Sequence, residues 1–271
     1  MVNRKKCHFF ARRIEFLGLT ISDNGIEPDS KRVAAIHDWP RPTTKTATLS
    51  FLGLVKYYRR FVKSFSTLAA PLFDFAEGKT TWTPLHETNF NLLKTHLTSA
   101  PVLTIPNPGA RPRYRLTTDA SETAIGAVLE VVSPTGEVQG VVAFDSSKLH
   151  ADELNYPIRE KEFLAIIRAL RRWRCYFHGS HVAIRTDHLS LEYVTSQKYT
   201  RGRLADWWDE LAEYNFSIEY VKGAFNPVAD ALSRVDTATT TAPTATRDAH
   251  FSKPTPGLIL TREECEQKAL D

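Results

Sequence analysis

Cysteine is scarce in this sequence. The 271 residues hold three, Cys7, Cys175 and Cys265, far apart and without a C-x-x-C pair. That excludes a disulfide framework and a structural zinc site, and reduced thiols are expected. Long apolar runs are lacking as well. No stretch approaches the about 18 to 20 uninterrupted apolar residues of a membrane span, and the opening M-V-N-R-K-K-C-H-F-F lacks the apolar segment of a signal peptide. The expectation is an intracellular protein, cytoplasmic or nuclear, with no membrane among its partners. Repeats and coiled-coil heptads are absent, and so is a strong excess of one charge: 35 basic against 31 acidic residues leave +4.

What is present is an ordinary globular composition, 42% hydrophobic and 24% charged, so most of the chain should fold. At about 150 residues per domain, the length gives about two domains. The charge is unevenly spread. Residues 1–110 carry 15 basic and 8 acidic residues, residues 111–234 carry 16 and 17, and residues 235–271 carry 4 and 6. A basic first segment beside a near-neutral second one fits a polyanion lying across both, with acidic chemistry in the second. A solvated basic face is the plainer reading of the same counts.

In the first segment, I-E-F-L-G-L-T-I-S-D-N-G-I predicts a hairpin with Asn24-Gly25 supplying the positive φ of its turn. Pro28 and Asp29 open a helix toward Ile36, which stops before Trp39-Pro40. From Leu49 to Leu72 the apolar residues Leu49, Leu52, Val55, Phe61, Phe65 and Leu68 recur at helical spacing, predicting an amphipathic helical region. Its outer edge, Lys56, Tyr57, Arg59, Arg60 and Lys63, is a candidate phosphate tracker, beside the plainer reading of a solvated helix face. A further helix carries Phe90, Leu93 and Leu97, and the cluster Pro106, Pro108, Gly109, Pro112 reads as a domain boundary.

The second segment begins with R-Y-R-L-T-T-D, whose alternation places Tyr114, Leu116 and Thr118 on one strand face and Asp119 on the other. Strands around 124–132 and 138–144 complete a meander. A long helix follows with Phe163, Ile166, Ile167, Leu170, Trp173 and Phe177 on one stripe. A strand at 181–187, a helix at 203–214, a strand at 216–221 and a short helix from Pro227 to Arg234 make a mixed α/β architecture. The threonine- and alanine-rich stretch after Arg234 reads as a flexible linker, with a small helix at 261–270.

Asp119 and Asp187 stand at strand ends, Asp230 stands in the last of these helices, and a glutamate lies in the long helix. Carboxylates gathered at one sheet edge repel, and a pair of hard divalent cations offsets that repulsion. Such a pair is also machinery for phosphodiester hydrolysis. Read singly, each acid has a plainer role, as a turn former or a helix-surface charge. Glu160 and Glu162 lie roughly 80° to either side of Leu170 at 100° per residue, so periodicity leaves them equivalent. His188 reads as a cap or surface residue, Tyr220 as packing, and Trp173, Trp207 and Trp208 as core.

The runs L-T-T-D-A-S, Y-P-I-R-E-K-E-F-L-A-I, I-R-T-D-H and N-P-V-A-D-A-L-S-R together resemble the ribonuclease H domain of gypsy-type long-terminal-repeat retrotransposon polyproteins. In the first segment K-C-H-F-F, F-L-G-L-T-I-S, G-I-E-P-D, L-G-L-V-K-Y-Y-R-R-F-V and L-T-S-A-P-V-L resemble the thumb and connection region of the same reverse transcriptases. The resemblance spans roughly residues 3–234. It implies three parts: a smaller α+β thumb/connection remnant at 1–110, a ribonuclease H-like mixed sheet with flanking helices at 111–234, and a flexible tail at 235–271.

It also implies an RNA/DNA-hybrid endoribonuclease using two Mg2+ or Mn2+ held by Asp119, Glu162, Asp187 and Asp230. Glu162 is taken over Glu160 because the family's word is E-F-L-A. The partners implied are an RNA/DNA hybrid and the polymerase and integrase parts of the polyprotein. No Y-x-D-D motif occurs, so the chain is expected to be a fragment or decayed copy without DNA synthesis. The alternatives are a catalytically silent nucleic-acid-binding remnant and a transposase-type nuclease, a class that places its glutamate last.

Overall fold

The computed structural model describes residues 9–186, 202–221 and 259–261. The first unit opens with three short antiparallel strands in sequential order, β1 (Arg13–Phe16), β2 (Leu19–Ser22) and β3 (Gly25–Pro28). The turn between β2 and β3 falls on Asp23-Asn24, with Ser22 paired to Gly25, one residue earlier than Asn24-Gly25. Gly25 has φ 133°, and a Cβ there would collide with the Leu103 carbonyl. Its glycine therefore serves close approach: Ile26 and Leu103 exchange both backbone hydrogen bonds, each at 2.8 Å.

Helix α1 (Ser30–His37) is capped by Asp29, whose carboxylate accepts the Lys31 N–H at 2.8 Å. The helical region expected from Leu49 to Leu72 is two helices, α2 (Lys45–Tyr57) and α3 (Phe65–Glu77), separated by a 3-10 turn at Arg59–Phe61 and by Ser64 at φ 52°. The apolar spacing runs across the break because Val55, Phe61, Phe65 and Leu68 all face one core. Leu49, read as part of that stripe, is exposed. Helix α4 (Pro84–Thr98), begun by Thr83 and Pro84, adds Phe90, Leu93 and Leu97 to the same core.

The second unit is a six-stranded sheet in the order β6-β5-β4-β7-β8-β9. Strands β4 (Arg113–Ala120), β5 (Ala124–Val132) and β6 (Val138–Lys148) form the antiparallel meander, and β7 (His181–Thr186) and β8 (Asn215–Tyr220) run parallel to β4. Strand β9 (Ile259–Thr261) pairs antiparallel with β8, inside the stretch read as tail. The run Ile259-Leu260-Thr261 gives a strand-forming word there, and it covers the β8 edge. Helices α5 (Ile158–Arg172), α6 (Arg174–Phe177) and α7 (Arg203–Ala212) supply Phe163, Ile166, Leu170, Phe177, Trp207 and Leu211 to a core built with Tyr114, Leu116, Leu129 and Ile184.

The two units meet along β6. The Thr104 N–H reaches the Val141 carbonyl at 2.7 Å, the Ser66 N–H reaches Ser146 Oγ at 2.8 Å, and Arg59 ion-pairs with Asp145. Val141 and Phe144 of β6 pack on the first unit's core. No helix among the described residues is long and apolar enough to cross a membrane.

Candidate active site

Strand β4 lies where the antiparallel meander changes to parallel crossovers, the place where open α/β sheets form sites beyond their strand ends. Its last two residues are Asp119 and Ala120. Helix α5 crosses this strand and presents three consecutive charged residues, about 100° apart around its axis, each buried and each with its own partner. Glu160 pairs with Arg203 at the start of α7, at 2.7 Å, and the Arg203 guanidinium lies 3.8 Å over the Tyr156 ring. The Lys161 amine donates to the Glu122 carbonyl at 2.9 Å. Glu162 Oε1 accepts the Ala120 N–H at 3.2 Å.

Glu162, and not Glu160, is thus brought to the strand end that carries Asp119. The two carboxylates are 4% and 7% exposed respectively. They are hard oxygen donors of like charge, a pair that suits a divalent cation. Among the described residues no group of three or more His, Cys, Asp or Glu side chains gathers as a metal site. Asp187 follows Thr186, the last residue of β7, directly in the sequence. Asp187 and Asp230, like His188 and the helix expected at 227–234, lie outside the described residues, and of the helix expected at 261–270 only Thr261 is described, as the end of β9.

Asp119 shares its sheet face with a row of charges that sequence reading passed over. Arg115 of β4 is in register with Glu130 of β5, and Arg185 of β7 pairs with Glu219 of β8 at 3.5 Å. Burial pushes the Glu130 carboxyl up, against the pull of Arg115 and Arg185. Burial likewise pulls Arg115 down, with Arg185 adding to it. Both directions are those of charges taken out of water and only partly compensated by each other.

The proposed phosphate trackers divide. Lys56 and Tyr57 are exposed, and the Tyr57 hydroxyl donates to the Leu17 carbonyl. Arg59 turns inward to Asp145 and to the Ser146 carbonyl at 3.3 Å, so its charge is engaged within the protein. Arg60 is half-buried, and so is Lys63, whose ammonium pKa is lowered by desolvation. The residue that sequence reading missed outright is Lys161. At 100° per residue it lies roughly 180° from Leu170, on the side a helix turns to water, yet it is 6% exposed.

Residues 111–214 match the family model described as the RNase H-like domain found in reverse transcriptase. Among curated proteins, the chain is 37% identical over 233 residues to the retrovirus-related Pol polyprotein from transposon 297 of Drosophila melanogaster, covering 85% of this chain and 21% of that polyprotein. It is 33% identical over 254 residues to the transposon Tf2-3 polyprotein of Schizosaccharomyces pombe, covering 92% of this chain and 19% of that one. The chain therefore spans about a fifth of the curated relatives it matches. Among solved structures, the foamy viral protease-reverse transcriptase in complex with an RNA/DNA hybrid superposes with a TM-score of 0.68 at 21% identity, over 89% of this chain and 33% of that one. The same viral protein in complex with double-stranded DNA gives a TM-score of 0.63 at 20% identity, over 79% of this chain and 45% of that one. The chain is a relative of retrotransposon Pol polyproteins, and its second unit is the RNase H-like domain found in reverse transcriptase.

Proposed function

We propose that the chain hydrolyses the RNA strand of RNA/DNA hybrids at a site built on Asp119 and Glu162, completed by Asp187 and Asp230. The observation that carries this reading is that a buried glutamate of α5, Glu162, is bonded to the backbone amide next to the buried Asp119 at the end of β4. When bound, two Mg2+ or Mn2+ ions would supply water activation and stabilise the departing 3′ oxygen. Glu162, anchored by the Ala120 N–H, and Asp119, on the rigid central strand, are held ready as oxygen donors and spare the ions the cost of ordering them. The foamy viral enzyme of this fold is described in complex with an RNA/DNA hybrid, which supports a hybrid as substrate, selected through its 2′-hydroxyls and groove shape. The reading assigns no nucleotide polymerisation to this chain, whose sequence has no Y-x-D-D motif.

The test is a labelled hybrid incubated with the full chain and Mg2+ or Mn2+. RNA-strand cutting should appear, leave the DNA strand whole, and vanish with chelator or with Asp119→Asn. Hybrid binding without cutting under any metal would instead favour the silent nucleic-acid-binding remnant.

A further inference from the structure

The turn that joins β4 to β5 begins past Ala120, the residue after Asp119, and its backbone is tied down group by group. The Ser121 N–H donates to the Ala124 carbonyl at 2.8 Å, and the Ser121 hydroxyl accepts the Ala124 N–H at 3.0 Å. The Thr123 carbonyl accepts the Leu149 N–H at 2.9 Å. The Glu122 carbonyl is served from outside the turn, by the Lys161 amine at 2.9 Å. Lys161 is therefore a buried lysine whose four-carbon stem crosses from α5 to this turn. Its neighbour Glu162 makes the companion contact, accepting the Ala120 N–H at 3.2 Å. One helix turn thus grips residues 120 and 122 of the same backbone at two points.

We infer that Lys161 is a positioning residue for the carboxylate site: by holding the Glu122 carbonyl it fixes the turn after Asp119, and with it the Ala120 amide that aims Glu162. This rests on the hydrolytic reading above for its consequence, but the positioning itself is a property of the protein alone. Burial favours this role over a general packing one. A lysine at 6% exposure is rare unless its charge is paired or hydrogen-bonded, and here its acceptor is the carbonyl three residues past Asp119. A neutral side chain of the same length would fill the space and leave the carbonyl without its donor.

The experiment compares Lys161→Met, Lys161→Arg and the core control Ile166→Val in the full chain, with two readouts. The first is hydrogen exchange of the Ala120 amide without metal. The second is kcat and KM for hybrid cleavage. Lys161→Met should speed Ala120 exchange by about 10-fold or more and lower kcat by about 10- to 100-fold with KM within about 2-fold, the pattern of a misplaced reacting group. Lys161→Arg, which retains a donor, should restore both toward the parent, and Ile166→Val should move neither. Should Lys161→Met fail to fold, Lys161→Leu, neutral and without a donor, must show the same exchange change. Parental Ala120 exchange in the neutral variant overturns the inference. If the parent itself does not cut the hybrid, the functional reading fails, and the exchange readout still decides the role of Lys161.

Discussion

Glu160 and Glu162 differ by two positions on one helix, and the protein gives them unrelated work. Glu160 is held by Arg203, whose guanidinium also stacks on Tyr156, so it joins α5 to α7. Glu162 reaches the end of β4. Exchanging each for glutamine removes one charge and changes shape little, so the two variants differ only in place. Glu162→Gln should cut hybrid cleavage by at least about 100-fold, more than is typical for loss of a residue that merely supports a metal ligand, with hybrid binding retained because phosphate contacts supply it. Glu160→Gln should leave cleavage within about threefold and cost about 1–2 kcal/mol of stability, since a charge-assisted bond becomes a neutral one. Steady-state cleavage and thermal unfolding of both variants check this. A reversed pattern would mean that Glu160 is the residue at the chemistry.

Two elements hold half-buried histidines whose surroundings disfavour the imidazolium form. His96 of α4 has its pKa lowered by burial and then by Lys63, and His181 at the start of β7 has its pKa lowered by burial and then by Arg113, with Glu219 opposing. Both folded values lie below the ordinary 6.5, so the unfolded chain binds more protons as pH falls. Their contribution is present above that value and lost as pH drops through the folded pKa values. The unfolding midpoint of the parent should therefore fall from pH 7 toward pH 5 more steeply than that of His96→Gln or His181→Gln. Taking the difference between variant and parent removes Glu130, whose raised pKa acts with the opposite sign. At this scale the sequence was legible where period and burial agree, as in the α5 stripe of Phe163, Ile166 and Leu170, or in β4. It was not legible where one core serves two elements, since the spacing from Val55 to Leu68 continues through the 3-10 turn that separates α2 from α3. Nor does a helical wheel show that a turn from another strand covers Lys161. Strand β9 escaped because three residues are too few for any period to register.

Across the whole molecule, the first unit covers an edge. Strand β6 is the outermost strand of the large sheet, and on its open side it receives the Thr104 N–H at Val141, two hydrogen bonds from Ser66 to Ser146, and the Arg59 ion pair at Asp145. Val141 and Phe144 complete the contact by packing on the other unit's core. The proline-rich cluster at 106–112 is where composition suggests a boundary, but composition carries no sign that the segments on either side close over a shared strand, because the contacts join residues about 40 to 90 positions apart. An uncovered edge strand with apolar neighbours is a template for pairing with another chain. A chain starting at residue 111 should therefore self-associate at concentrations where the full chain does not, measured by size-exclusion chromatography with light scattering. Val141→Lys in that shortened chain should reduce the association, since a charge on an edge strand blocks further strand addition. In the full chain the same substitution should instead lower the unfolding midpoint, because it places an ammonium where Val141 now packs against the first unit. If the shortened chain stayed monomeric with Val141 intact, β6 would have no need of its cover, and the contact between the units would have to be explained by the first unit's core alone.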